Sequence, residues 1–167
     1  QQLVEQIRSG DREAFRLLVE RYKDRVFNTI FRMLGNLDDA EDVLQEVFVR
    51  VYKALDGFRD QSSFSTWIYR VTVNHCMTAL RRKGTVKHRR PLSLDSSFGG
   101  SEESRVEFES AGGTPLQSVL SHEQQETIHG CIQQLPEEYR QIVVLKDLEG
   151  FSYEEISRIV ECPVGTV

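Results

Sequence analysis

Between residues 1 and 88 the apolar side chains return every three or four positions, which is the period of an amphipathic helix and not of a strand. Leu3, Val4 and Ile7 mark a short first helix that Gly10 is suited to end. Asp11 is placed to cap a second, whose stripe of Phe15, Leu18, Val19, Tyr22, Val26 and Ile30 runs to Leu34 before Gly35-Asn36 breaks it. Asp38 and Glu41 are placed to start a third helix, with Ala40, Val43, Leu44, Val47, Phe48, Val51 and Leu55 facing inward and Gly57 as its stop. A polar loop, 58–63, follows. A fourth helix then begins near Phe64 and carries Trp67, Ile68, Val71, His75 and Ala79 on one side.

The period fades from about Gly84 to Pro115, where Gly99, Gly100, Gly112, Gly113 and many serines read as a flexible linker. A loop of that length inside one compact domain is uncommon, which favours two domains. Helical spacing resumes over 116–134, and a further helix starts at Pro136 with Glu137 and Glu138 in its first turn and Ile142, Val143 and Leu145 inward. Beyond Gly150, Ser152 and Glu155 have capping-box spacing, and Phe151 and Ile156 that of a hydrophobic staple. Ile156, Ile159 and Val160 give that helix one apolar side, Cys162-Pro163 ends it, and Val164, Gly165 and Thr166 open another. This is the pattern of a helix-turn-helix, whose second helix normally enters a major groove. The predicted fold is all-α: two small helical domains, 1–88 and 116–167, joined by an acidic linker over 89–115.

Charge sharpens the division. The net charge of −5 conceals +5 over residues 1–90 and −10 over 91–167. Residues 61–94 contain no carboxylate, while Arg70, Arg81, Arg82, Lys83, Lys87, Arg89 and Arg90 are basic, which points to a polyanionic partner for that stretch. A basic run alone is more usually a solvated surface. Three widely spaced cysteines make no disulfide framework and fit a reducing cytoplasm. No apolar run approaches the ~20 residues that span a bilayer, so no membrane insertion is expected.

Four stretches in fixed order carry a resemblance. They are Asp39-Ala40-Glu41-Asp42-Val43-Leu44-Gln45-Glu46-Val47-Phe48; Phe64-Ser65-Thr66-Trp67-Ile68-Tyr69-Arg70-Val71-Thr72-Val73-Asn74; Leu135-Pro136-Glu137-Glu138-Tyr139-Arg140; and the helix-turn-helix from Gly150 to Val167. Together they resemble the extracytoplasmic-function (ECF) sigma factors, two-domain bacterial transcription initiation factors. The resemblance implies a sigma region 2 bundle and a sigma region 4 helix-turn-helix. It also implies binding to the RNA polymerase core, to the −10 promoter strand and to the −35 duplex, under the control of an anti-sigma factor. No enzymatic activity and no cofactor are implied.

Site residues follow from the same resemblance. Asp39, Asp42, Gln45, Glu46 and Arg50, on the polar side of the third helix, are implied to dock on polymerase, where such a face can steer and hydrogen-bond a basic partner. By spacing alone they are an ordinary solvated helix face. The loop 58–63 and the helix behind it are implied to melt and read the −10 strand, which needs aromatic surfaces for bases and cations for phosphates. Phe58, Phe64, Trp67 and Tyr69 supply rings; Arg59, Arg70, Arg81 and Arg82 supply charge; Ser62, Ser63 and Asn74 supply hydrogen bonds to a base. Phe64 and Trp67 also lie on the apolar side of their helix and read as core. Ser152, Tyr153, Glu154, Pro163, Val164, Gly165 and Thr166 form the helix-turn-helix implied for −35 DNA. The chain begins without methionine and stops four residues into the recognition helix, which reads as a fragment whose −35 contacts are incomplete.

Other chemistries find little support. His129-x-Cys131 is the closest approach to metal-ligand spacing, and neither CxxC nor HxxxH occurs. There is no GxxxxGK[ST] loop. Glu41, Asp42 and Glu46 beside a basic patch are better read as a charged helix face than as a nuclease centre. The rival reading, a stand-alone helix-turn-helix regulator of duplex DNA, leaves the loop 58–63 and the Trp67–Asn74 segment without a purpose.

Overall fold

A computed structural model describes residues 2–8, 11–58, 63–89 and 115–167. Its helices are α1 (Gln2–Arg8), α2 (Arg12–Leu34), α3 (Leu37–Ala54), α4 (Phe64–Arg89), α5 (Pro115–Gln134), α6 (Glu137–Val143) and α7 (Tyr153–Val160). A 3-10 turn, Leu55–Gly57, follows α3, and a π-helical turn, Val144–Leu148, extends α6. There is no strand among the described residues.

Local chemistry explains most of the boundaries. The Asp11 carboxylate accepts from the amides of Glu13 and Ala14 (2.9 and 3.2 Å), so two free donors at the start of α2 are paired. Gly35 ends α2 in the left-handed region (φ 72°) and returns its N–H to the Phe31 carbonyl at 2.8 Å. The cap of α3 is Asn36, whose side chain accepts from Asp39 N at 3.0 Å, and not Asp38 as the sequence suggested. Asn36 has extended dihedrals suited to a cap, whereas Asp38 is already inside the first turn. The expected break at Gly84 is also corrected: α4 continues through it to Arg89. One glycine costs a helix only about 1 kcal/mol, too little to end one of 26 residues. The expected stop at Gly10 and nearly all of the linker 89–115 lie outside the described residues.

Val26, Ile30 and Met33 of α2, Val43, Val47 and Val51 of α3, and Ile68 and Val73 of α4 form the centre of the first half. Each fully buried side chain of this size contributes about 1.5–3 kcal/mol. Ile132 of α5, Val144, Leu145, Phe151, and Ile156 and Ile159 of α7 are buried in the second half. The two sets belong to one continuous core, because α7 packs along α4 while α5, α6 and the π turn pack against α2.

Candidate nucleic-acid interface

The outer side of α3 is set by its apolar stripe. With Val43, Val47 and Val51 turned inward, the helical period leaves Asp42, Gln45, Glu46 and Arg50 exposed. Asp39 is half-buried and pairs with Lys83 of α4. The same side is not purely polar. Val49 and Tyr52 are exposed, and Phe15 meets Tyr52 edge-on at 4.9 Å, so a shallow apolar groove runs between α2 and α3 beside Gln45.

At the start of α4, Ser63 is a cap: its hydroxyl accepts from Thr66 N at 3.1 Å and lies 2.8 Å from Thr66 Oγ1. Phe58, Phe64 and Trp67 meet one another at centroid distances of 5.2–5.7 Å, and Tyr22 closes on Phe64 at 5.3 Å. Phe58 and Trp67 are buried and Phe64 is half-buried. Phe58, Trp67 and Tyr69 all pack against protein in this arrangement, as the core reading of Trp67 expects, so none of the three offers a free stacking face here. Arg59 and Ser62 lie outside the described residues. Asn74, Arg81 and Arg82 are exposed along α4, and Arg70 is half-buried.

What covers Tyr69 comes from the second half. Its ring meets Phe151 edge-on at 4.8 Å, and its hydroxyl donates to Glu149 Oε2 at 2.6 Å, leaving the residue 0% exposed. Burial raises the phenol's pKa, and the carboxylate beside it adds to the rise. The Glu149 side chain is itself only 5% exposed. Its other neighbours are Thr29 Oγ1 at 2.8 Å, Arg25 at 3.3 Å and Arg32 at 3.9 Å, all from α2. The Thr29 hydroxyl also lies 2.9 Å from the Arg25 carbonyl, so its one proton is shared between two acceptors. Nearby, Arg70 and Glu161 approach to 3.8 Å.

A second anchor sits at the C-terminal end of α2. Arg140, buried, donates to the carbonyls of Met33 (2.6 Å), Gln133 (2.8 Å) and Leu135 (3.0 Å) and to Gln133 Oε1 (3.0 Å). Gln133 in turn donates to the Arg32 carbonyl at 2.6 Å. A guanidinium with several fixed donors suits the unpaired carbonyls at helix ends. Gly35 permits the approach: a Cβ there would lie 2.5 Å from Gln133 Oε1.

In the helix-turn-helix, the capping box forms as expected. Ser152 N donates to Glu155 Oε2 at 2.9 Å and Glu155 N to Ser152 Oγ at 3.3 Å. The Ser152 N–H, and after it the Ser152 hydroxyl at 2.9 Å, donate to the Glu155 carboxylate and hold its pKa below the usual value. The Ser152 hydroxyl is therefore engaged within its own helix. Tyr153 and Glu154 are exposed, with Lys146 Nζ 4.8 Å from the Tyr153 ring centroid. Glu161 adopts the left-handed conformation (φ 56°) at the turn, after which Pro163, Val164, Gly165 and Thr166 are exposed.

Residues 18–86 match Sigma-70 region 2, and residues 125–167 match Sigma-70 region 4. The chain is 39% identical to the RNA polymerase sigma-H factor of Pseudomonas aeruginosa and 41% identical to the ECF RNA polymerase sigma-E factor of Escherichia coli. Both alignments cover 100% of this chain and 85% of the relative. The chain belongs to the ECF sigma factors. As a sigma factor it initiates transcription by directing RNA polymerase to promoters. Its fold is similar to that of CnrH, solved with the cytosolic domain of CnrY (TM-score 0.64, 21% identity, 98% of this chain and 84% of that one). It is also similar to the sigma factor RpoE of Bartonella quintana, solved with the anti-sigma factor NepR (TM-score 0.66, 20% identity, 91% and 86%).

Sequence reasoning missed the residues that join the two regions of this sigma factor: Arg25, Thr29, Gln133 and Glu149. Arg140 stands in the sequence only as the end of the Leu135–Arg140 stretch. Thr29 gave one usable signal, a polar side chain on the buried side of α2 between Val26 and Ile30. Among the described residues no group of three or more His, Cys, Asp and Glu is placed to hold a metal, and no helix is long and apolar enough to cross a membrane.

Proposed function

We propose that region 2 divides its work between two surfaces. The outer side of α3, through Asp42, Gln45, Glu46 and Arg50 with Asp39 at its edge, docks on the polymerase core. The loop 58–63 and α4, through Arg59, Ser62, Ser63, Phe64, Arg70, Asn74, Arg81 and Arg82, takes the −10 strand. Region 4, through Tyr153, Glu154 and the residues from Pro163 onward, meets the −35 duplex. The observation that carries this reading is the adjacency of an exposed polar α3 to a carboxylate-free α4 with Asn74, Arg81 and Arg82 in solvent. Cations on one helix side attract phosphates without regard to sequence, while an amide such as Asn74 reads a base edge. The sigma factor itself supplies no catalytic group; bond formation belongs to the polymerase, in the cytoplasm. An anti-sigma factor is its proposed inhibitor, supported by the similar fold of RpoE, solved with the anti-sigma factor NepR.

The test is run-off transcription with purified core polymerase. Glu46→Lys should weaken holoenzyme assembly in a fluorescence titration while leaving helical content unchanged. Asn74→Ala should leave assembly intact and relax preference at one −10 position by about 1–3 kcal/mol. Assembly unaffected by Glu46→Lys would remove the docking assignment, and equal loss on every −10 variant would make Asn74 structural.

A further inference from the structure

Asp39 is half-buried in the first turn of α3, where its N–H donates to the Asn36 side chain at 3.0 Å. Its carboxylate pairs across the helix boundary with Lys83, near the far end of α4. Lys83 stands about two helical turns beyond Cys76, so it continues the side of α4 on which Thr72 and Cys76 are buried. From Met77 to Gly84 no residue is buried, and Lys83 leaves the core just where α3 begins. The two side chains are 27% and 50% exposed, and a pair this open contributes at most about 1 kcal/mol to stability. Its larger consequence concerns charge.

Residues 61–94 contain no carboxylate, so α4 cannot neutralise its own cations. Arg81, Arg82 and Lys83 are consecutive and exposed. Asp39 brings a negative charge to that run from α3, inside region 2, with no help from region 4. We propose that Asp39 is a charge brake on α4: by holding Lys83 it withdraws one cation from those that meet phosphates, and so sets the sequence-independent part of the affinity for DNA. A phosphate that reached Lys83 would also approach the Asp39 carboxylate, so the pair offers it no net charge. Arg81 and Arg82 remain for phosphates and Asn74 for a base. Cations bind every sequence alike, and non-promoter sites far outnumber promoters, so an unchecked basic run would hold the protein on the wrong DNA. The brake rests on the proposed −10 role of α4, whereas the pairing of Asp39 with Lys83 does not.

Fluorescence anisotropy tests it with two labelled single-stranded oligonucleotides, one carrying the −10 sequence and one scrambled. The full chain is assembled on saturating core polymerase, so that weaker docking by an Asp39 variant does not enter, and core polymerase alone sets the baseline. Asp39→Asn should steepen the fall of log K with log salt by about 0.7, the value for one phosphate contact on a single strand. Its advantage over the parent should then grow about 2.5-fold as salt is lowered from about 200 to 50 mM, equally on both oligonucleotides. Adding Lys83→Gln should return the slope to that of the parent. An unchanged slope in Asp39→Asn, with salt-dependent binding by the parent, overturns the brake. A slope that stays steep in the double variant means that Lys83 is not the cation released, and overturns the pairing. Tightening on the −10 sequence alone would make Asp39 a base-reading residue and also refute the proposal. If no variant binds either oligonucleotide above the baseline, the −10 role of α4 falls and the brake falls with it.

Discussion

The two regions are stabilised in different ways. Region 2 is built from helices of 23, 18 and 26 residues, each with an apolar stripe that its neighbours bury. In region 4, α6 has 7 residues and α7 has 8, below the ~12–15 at which an isolated helix becomes even marginal in water. These short helices depend on caps and on what they lie against. Arg140 ties α5 and α6 to the end of α2, the capping box starts α7, and Glu149 fixes the π turn to α2 and α4. Region 2 spreads its stabilisation over many apolar contacts along long helices, while region 4 adds to its share of the common core a few polar groups that hold its short helices in place. Single substitutions should therefore act very unequally in the two.

The strongest test of that contrast is Arg140→Ala. It strips donors from the carbonyls of Met33, Gln133 and Leu135 and should cost about 3 kcal/mol, since buried acceptors are left unpaired. The loss should fall on region 4. Trp67, the sole tryptophan, reports on region 2, whereas far-UV circular dichroism reports on all the helices. In a urea titration the two signals should separate, with part of the helical signal lost before Trp67 responds. Coincident transitions shifted together would mean the regions unfold as one and would break the contrast.

Gly35→Ala comes next. The substitution meets two obstacles: a left-handed φ of 72°, and the Gln133 side chain where the new Cβ must sit. The backbone strain alone is about 1–2 kcal/mol. Gly35→Asn eases the strain but keeps the collision, and pairing Gly35→Ala with Gln133→Ala does the reverse. Denaturation midpoints across this set separate the two costs. If the double variant is as unstable as the sum of its parts, Gln133 does not contribute to the Gly35 requirement.

These positions also show what the sequence made legible. Helices α2, α3 and α4 were readable because stripes such as Val43, Val47 and Val51 repeat locally, and the capping box because Ser152 and Glu155 are three residues apart. Asn36 is hard to single out as the cap because Asp38 offers similar chemistry two positions later. The π turn leaves no periodic trace over five residues. Glu149 pairs with Tyr69 across 80 positions and with Thr29 across 120, separations at which no local pattern operates. The aromatic residues near the −10 loop were readable as apolar, but whether a ring packs or stacks is decided by its neighbours, here Tyr22 for Phe64 and Phe151 for Tyr69.

A smaller effect should follow from Ser152→Ala. It removes the hydroxyl that caps Glu155 N and one of the two bonds to the Glu155 carboxylate, for a loss of about 1 kcal/mol. The equivalent change at the start of α2, Asp11→Ala, removes two similar bonds at the amides of Glu13 and Ala14. Region 2 should absorb it with less loss of helical signal, because the stripe of α2 remains packed. Equal fraying at the two sites, read by hydrogen exchange of the first-turn amides, would contradict the proposed dependence of short helices on their caps.

The smallest expected effect is a pH dependence at the junction of the two regions. His129 of α5 stacks on Phe31 of α2 with centroids 4.7 Å apart and planes within 5°. Burial lowers its pKa below 6.5, and the charges of Arg32 and Arg140 lower it further. The neutral imidazole is therefore the form that the folded chain prefers. Below pH 6.5 the unfolded chain takes up a proton that the folded chain resists, so stability declines as the pH falls and levels off once the folded histidine also titrates. Glu155 adds a loss of the same sign, but its carboxyl starts from 4.5, so its window lies lower. His129→Phe keeps an aromatic ring against Phe31 and removes the titration. Thermal melts of the parent and this variant between pH 7.5 and about 5.5, above the carboxylate range, should diverge on the acid side, with the parent losing more. Parallel curves would show that the stack contributes packing to the junction and no pH dependence.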